Sequence, residues 1–375
     1  MARAPTRPPT RPPTRATPVW PGPSGGASAR AIISHPRLRR LAIGLLIALV
    51  VLISVSGVTF WRLNATVTSY PGAHFNQGKN AVWLEHAWVG EPHSSGEYDA
   101  LAAQLAREQI RYVFAHVGPM ESDGSIPNGL APDAATLTSE LHARLPGVKV
   151  LAWIGQLEVA SGEPENTTVN LADSHVRSGI VQTALRFVRD RGFDGVHYDI
   201  EPITNNNNHF LDLLTETRAA LPAGAILSIS AQKWAPNAHV ADWAYGLGKA
   251  DAWWTSYYYY KVAGYVDQLV VMAYNTAMPT ENLYSLTVKQ ETANILTAVR
   301  QARHPPEVLI GVPTYAGNDF WFHDAAENMG SALQGVTAGL NSSHETAPFV
   351  GVAIYRLATT TPAEWATYER HWLGK

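Results

Sequence analysis

The sequence predicts a closed (β/α)8 barrel preceded by a single membrane-spanning helix. Three observations carry this. Eight short apolar runs alternate with amphipathic stretches over residues 80–372, the pattern of repeated strand–helix units. Residues 41–60 contain no charged side chain. No glycine-rich phosphate loop follows the first apolar run, which argues against a doubly wound open sheet.

Composition fits that class. The chain has 375 residues, 46% hydrophobic and 16% charged, so neither a disordered chain nor a coiled coil is indicated. Cysteine is absent, which excludes disulfides, thiolate nucleophiles and cysteine-ligated zinc while leaving the redox compartment open. The net charge of −3 hides an asymmetry, because residues 1–40 hold eight Arg and no Lys, Asp or Glu. Of 28 Lys+Arg, 20 then remain in residues 41–375 against all 31 Asp+Glu, a balance of −11. A body this acidic does not suit nucleic-acid phosphates.

Residues 5–15 read PTRPPTRPPTR, which places Arg7, Arg11 and Arg15 at four-residue spacing. Proline fixes φ and removes backbone donors, so this segment is expected to be a disordered cytoplasmic tail, with a proline-binding module or anionic lipid as alternative partners. Residues 41–61 follow as a signal-anchor helix. Twenty residues at about 1.5 Å each span about 30 Å, the hydrocarbon thickness of a bilayer. Arg37, Arg39 and Arg40 precede it and Trp61 stands at its far boundary, so the positive-inside rule puts the amino terminus in the cytoplasm and the remainder outside. The rival reading is a signal peptide cut near Ser54 or Ser56, giving a secreted product. A linker is expected over 62–79 and an extracytoplasmic barrel over 80–375.

Within the barrel, strands are expected at 81–88, 111–117, 148–154, 195–201, 226–231, 268–274, 308–314 and 350–355, with helices at 98–109, 175–191, 210–221 and 287–303 among the intervening stretches. Chemistry in such a barrel belongs to the carboxyl ends of the strands. Residues 192–202 read GFDGVHYDIEP. Side chains alternate along a strand, so His197, Asp199 and Glu201 share one face and Val196, Tyr198 and Ile200 the other. The polar set then faces the interior, with Glu201 at the mouth and Asp199 about 7 Å below it. Two stacked carboxylates oppose each other's ionisation and lose solvation, so one is expected to be protonated near neutral pH, as a general acid for a glycosidic oxygen requires.

The run 194–201, DGVHYDIE, resembles the D-G-x-D-x-D-x-E signature of family 18 glycoside hydrolases, the chitinase-like enzymes, and looks closest to their bacterial cell-wall and spore-cortex branch. Residues 266–275, VDQLVVMAYN, are similar to that family's strand six, and 308–315, VLIGVPTY, to its strand seven. The resemblance implies that Glu201 is the general acid/base and that Asp199 orients the substrate's 2-acetamido group. Its carbonyl oxygen attacks the anomeric carbon, so no carboxylate nucleophile is needed. The resemblance also implies that Tyr274 hydrogen-bonds the acetamido oxygen; Met272 shares its strand parity and is expected to face inward beside it. His197 replaces the family's middle aspartate, and a neutral or a cationic imidazole beneath Asp199 are both open; a hydrogen-bonding role is favoured. Asn275 stands in place of an aspartate, and Tyr355 in place of a stacking Trp.

Sugar faces stack on aromatic rings, and Trp83, Trp88, Trp153 and Trp234 lie near expected strand ends, with Trp234 the preferred stacking residue. The cluster Trp253, Trp254 and 257–260 reads as a buried or interfacial helix face. Glu85 and Glu158 are alternative second carboxylates. No HExxH, metal-ligand spacing or nucleotide fingerprint is present, so neither metal, cofactor, nucleotide nor nucleic acid is expected. These readings converge on a membrane-anchored hydrolase of a β-linked, N-acetylglucosamine-containing polysaccharide or oligosaccharide. Two other readings stand beside it: a glycan-binding barrel without turnover, and a conventional two-carboxylate glycosidase on a sugar lacking the acetamido group.

Overall fold

The computed structural model describes residues 36–65, 72–248, 252–320 and 322–375. Expectations for the tail before residue 36 and for linker residues 66–71 fall outside those. Contacts divide the chain after Trp61 into an amino-terminal unit and a barrel unit. In the first, Pro36–Ala65 is one continuous helix. Its stretch Arg40–Val58 has a mean hydropathy of 2.8 and none of it is buried, so by length and composition it is able to cross a membrane.

The second unit is a closed barrel of eight parallel strands: β1 (Asn80–Leu84), β2 (Ile110–His116), β3 (Lys149–Glu158), β4 (Gly195–Glu201), β5 (Ile226–Ala231), β6 (Gln268–Val271), β7 (Glu307–Pro313) and β8 (Phe349–Tyr355). Each strand pairs with its sequence neighbours, and β8 pairs with β1 to close the ring. Runs such as Val-Leu-Ile-Gly-Val on β7 are apolar throughout because the strands are covered on both sides, by helices outside and by one another's side chains inside. The helices α1 (Ser95–Arg107), α2 (Ala134–Arg144), α3 (Ser174–Asp190), α4 (Asn208–Ala220), α5 (Ser256–Ala263), α6 (Glu281–Val299), α7 (Met329–Ser342) and α8 (Pro362–Tyr368) supply that outer layer. Local sequence sets their starts. Ser94 and Glu97 form a capping box on α1, Thr361 and Glu364 another on α8, and Asp173 and Asn207 cap α3 and α4.

Two apolar layers result. Between strands and helices lie Val82, Val113, Ile154, Tyr198, Ile200 and their neighbours. The barrel interior holds Ala81, Trp83, Phe114, Leu151, Trp153, Val270, Leu309 and Ala353. Ile200 and Tyr198 thus face the helices, and the other parity of β4 faces inward, as strand alternation requires.

Boundaries differ from the sequence expectation in three places. β1 ends at Leu84, and Glu85 and His86 turn the chain into a short helix, Ala87–Gly90, so Trp88 is helical. β3 continues to Glu158 and pairs there with Thr168–Val169. β6 ends at Val271, so Met272 and Tyr274 extend beyond the ladder. Between β5 and β6 the chain inserts the helix Ala238–Gly248 and a parallel pair, Lys233–Ala235 with Trp253–Thr255. The aromatic cluster there is split: Trp254, Tyr258 and Tyr259 are buried, whereas Tyr257 and Tyr260 are exposed. Gly72 to Lys79 are no free linker, because Gly72 N–H donates to His371 O at 2.9 Å and Lys79 pairs with Glu307 at 2.6 Å, tying the chain entry to the base of the barrel.

Candidate active site

A cleft of about 540 Å³ opens at the carboxyl ends of the strands. Asp199, Glu201, Met272, Tyr274, Asn275 and Tyr355, all anticipated from sequence, line it. β4 delivers both carboxyls by parity, and its register against β3 places Gly155 beside Asp199 and Leu157 beside Glu201.

An aromatic plug supports the floor. Trp83 meets His197 edge-on with centroids 5.7 Å apart, and Phe114 stacks on His197 at 4.0 Å and 11°. His197 is wholly buried, with Nδ1 2.8 Å from Ser228 Oγ and Nε2 3.0 Å from Ser230 Oγ. Ser228 in turn donates to Gln268 Oε1 at 2.8 Å, which extends this buried polar network beneath the cleft. Burial pushes the imidazole pKa down to about 3, so the ring is neutral. Of the two open readings, burial favours the neutral imidazole. His197, expected among the substrate contacts, is buried beneath the cleft and is not among the residues that line it.

Asp199 sits on that plug. The Trp153 indole donates to its Oδ2 at 2.8 Å, while Oδ1 is buried without a partner. Burial raises the carboxyl pKa, opposed by the Ser230 hydroxyl and the Trp153 indole. The upward shift comes chiefly from lost solvation. Glu201, at the mouth, accepts from Gln232 Nε2 at 3.4 Å.

Tyr274 faces both carboxyls from the loop after β6. Its ring stacks on Tyr355 with centroids 5.4 Å apart and meets Tyr315 edge-on at 5.9 Å. Burial holds the phenol well above its ordinary pKa, so it remains a donor. The loop is fixed from behind. Asn275 and Ala277 have φ of +57° and +58°, left-handed values that an L-residue holds only under constraint. Buried Glu327 supplies it by accepting from the Thr276 N–H at 2.9 Å and the Thr276 hydroxyl at 2.8 Å. Tyr315 Oη donates to Asn275 Oδ1 at 2.5 Å from the opposite wall.

Other candidates have other work. Glu85 Oε1 accepts from Ala358 N–H at 2.7 Å and so pins the loop after β8. Glu158 accepts from Ala160 N–H at 2.6 Å and caps a turn. Trp234 packs on the core, its indole donating to Ser256 Oγ at 2.9 Å. None of the three lines the cleft. Trp83 and Trp153 are interior side chains, the second of them bonded to Asp199. Four cleft residues were not anticipated: Lys233, Tyr315, Asp319 and Arg356. The first three lie two or more residues beyond strand ends, where parity no longer governs direction. Arg356 directly follows the last residue of β8, and its position was the available signal.

Among the described residues no cluster of three or more His, Asp or Glu side chains is placed to hold a metal ion. The chain matches the family model of glycosyl hydrolases family 18 over residues 93–371. No curated protein sequence matches it. Its fold is similar to that of the spore cortex-lytic enzyme SleL of Bacillus cereus, with a TM-score of 0.51 and 12% identity over 78% of this chain and 74% of that one. It is likewise similar to a family 18 chitinase of Cycas revoluta solved with allosamidin, with a TM-score of 0.51 and 14% identity over 78% of this chain and 98% of that one. Barrel, strand-four carboxyls and matched model agree: the chain belongs to glycosyl hydrolases family 18.

Proposed function

We propose that this protein hydrolyses β-linked glycans containing N-acetylglucosamine, by substrate-assisted retaining chemistry, from a position anchored in the membrane by residues 41–61. The observation that carries the reading is the convergence of Asp199, Glu201 and Tyr274 on one cleft at the carboxyl mouth of the barrel. Glu201 donates its proton to the bridging oxygen as the acetamido carbonyl oxygen attacks the anomeric carbon and the leaving sugar departs. Asp199, held by Trp153, orients the acetamido N–H, and the Tyr274 phenol donates to its oxygen. Glu201, now a carboxylate, takes a proton from the water that opens the cyclised intermediate, which restores the acid and retains configuration. Neither Glu85 nor Glu158, the alternative second carboxylates, lines the cleft. The names of the similar structures, a cortex-lytic enzyme and a chitinase, fit this substrate class.

Glu201→Gln tests the assignment. Cleavage of N-acetylglucosamine oligosaccharides, followed by mass analysis of products, is expected to fall by about 10²–10⁴-fold with an unchanged melting temperature. A variant as active as the parent removes Glu201 from the mechanism.

A further inference from the structure

We propose that the cleft selects a glycan carrying a carboxylate substituent beside the scissile bond, and that Arg356 is the residue that reads it. The inference rests on the glycosidase reading above and narrows its substrate class.

Arg356 follows Tyr355 directly, on the opposite wall of the cleft from β4, and lines the cleft with an exposed side chain. Among the described residues its guanidinium has no hydrogen-bond or ion-pair partner, whereas Arg144 and Arg177 on the barrel are bonded to carboxylates. Its backbone, by contrast, is anchored: the Arg356 N–H donates to Thr359 Oγ1 at 3.3 Å, and its carbonyl accepts from the Thr360 hydroxyl at 2.8 Å. Glu85 pins the next turn through Ala358. A fixed backbone thus presents an uncommitted planar donor fork to the substrate.

Charge makes that placement selective. Residues 41–375 carry a balance of −11, so the net charge of the body opposes an anionic glycan and a cation in the cleft is needed to hold one. Lys233 adds a second cation to the same cleft. The carboxyls there are Asp199, Glu201 and Asp319. Asp199 is driven toward its neutral form by burial, and Glu201 is protonated when it acts as the acid, which sets Arg356 and Lys233 against Asp319 in the cleft. Guanidinium and carboxylate match in a two-bond geometry that a hydroxyl on a neutral sugar cannot reproduce. A neutral homopolymer of N-acetylglucosamine would leave the fork facing water.

Two tetrasaccharides separate the possibilities: chitotetraose, and one in which alternate N-acetylglucosamine residues carry a 3-O-lactyl ether. Binding is measured by calorimetry in the Glu201→Gln background and cleavage in the parent. The lactylated glycan is expected to bind about tenfold or more tightly than chitotetraose, and Arg356→Gln to erase most of that ratio, chiefly through Kd and KM. Arg356→Lys, which keeps charge but loses the fork, should recover part of it. Equal binding of the two glycans, or a ratio that survives Arg356→Gln, overturns the proposal. Selective binding without any cleavage by the parent defeats the hydrolase reading and leaves this one standing.

Discussion

At the residue scale, the protein keeps a polar group neutral in the deepest part of its barrel and places the reactive carboxyls above it. His197 occupies a site enclosed by Trp83 and Phe114, where an imidazolium would be unsolvated and face no counter-charge. Its pKa is accordingly depressed to about 3, against an ordinary value near 6.5 in the unfolded chain. The sign of the stability effect follows. As pH falls below about 6.5 the unfolded chain takes up a proton that the native state refuses, so His197 removes stability by up to about 1.4 kcal/mol per pH unit down to about pH 3. The variant His197→Gln lacks that proton uptake. Its stability deficit relative to the parent, measured by urea unfolding at pH 7, 6, 5 and 4, should therefore shrink as the pH is lowered. A deficit constant across that range would mean that His197 titrates alike in both states.

At the level of elements, what could be read from the sequence is what a periodic backbone dictates. Strand alternation alone brings His197, Asp199 and Glu201 to one face of β4 and sends Tyr198 and Ile200 to the helices, and the structure has that division. Tyr274 and Met272 also point where strand parity suggested, although the ladder of β6 stops at Val271. Loops escape such reasoning. Trp234 lies three residues past β5, within a small accessory strand pair whose register turns its indole to Ser256. Glu85 is diverted because β1 ends one residue earlier, and Asp319 lies in the loop six residues past β7, where its carboxyl accepts from the Phe322 N–H. Packing between helices was equally hidden. α6 and α7 approach so closely that a Cβ on Gly335 would stand 2.6 Å from Ser285 O and from Val288 Cβ, and one on Gly339 2.6 Å from Thr292 Cβ. Backbone and branched side chains cannot yield by that much without parting the helices. Gly335→Ala should therefore destabilise the barrel by about 1–3 kcal/mol, seen as a lowered melting temperature, while kcat measured well below the transition stays at the parent value because neither helix lines the cleft. An unaltered melting temperature would show that the pair can separate freely.

For the whole molecule, charge and hydropathy are sorted along the chain in a way that a barrel alone does not need. Eight Arg precede an apolar helix of mean hydropathy 2.8, and an acidic body follows. By the positive-inside rule, cations on one side of a long apolar helix favour keeping that side in the cytoplasm, which is the basis for proposing that the barrel lies on the other side. The apolar stretch of the helix, Arg40–Val58, is longer than the apolar core of a cleaved leader usually runs. Two measurements on the full chain decide between anchor and leader. The anchored form predicts that the protein stays in the membrane pellet after alkaline carbonate extraction and that its intact mass is that of all 375 residues. Leu49→Lys, which places a charge at mid-helix, should then release a fraction of the protein from the pellet, because a lysine there opposes insertion by about 2.5–3.5 kcal/mol. A soluble product whose mass begins just after Ser54 or Ser56 would instead identify residues 41–60 as a processed leader and the barrel as a secreted enzyme. The cleft and its chemistry would be unchanged, but the reach of the enzyme would differ: an anchored barrel meets only glycans at the surface of its own cell, whereas a released one acts wherever it diffuses.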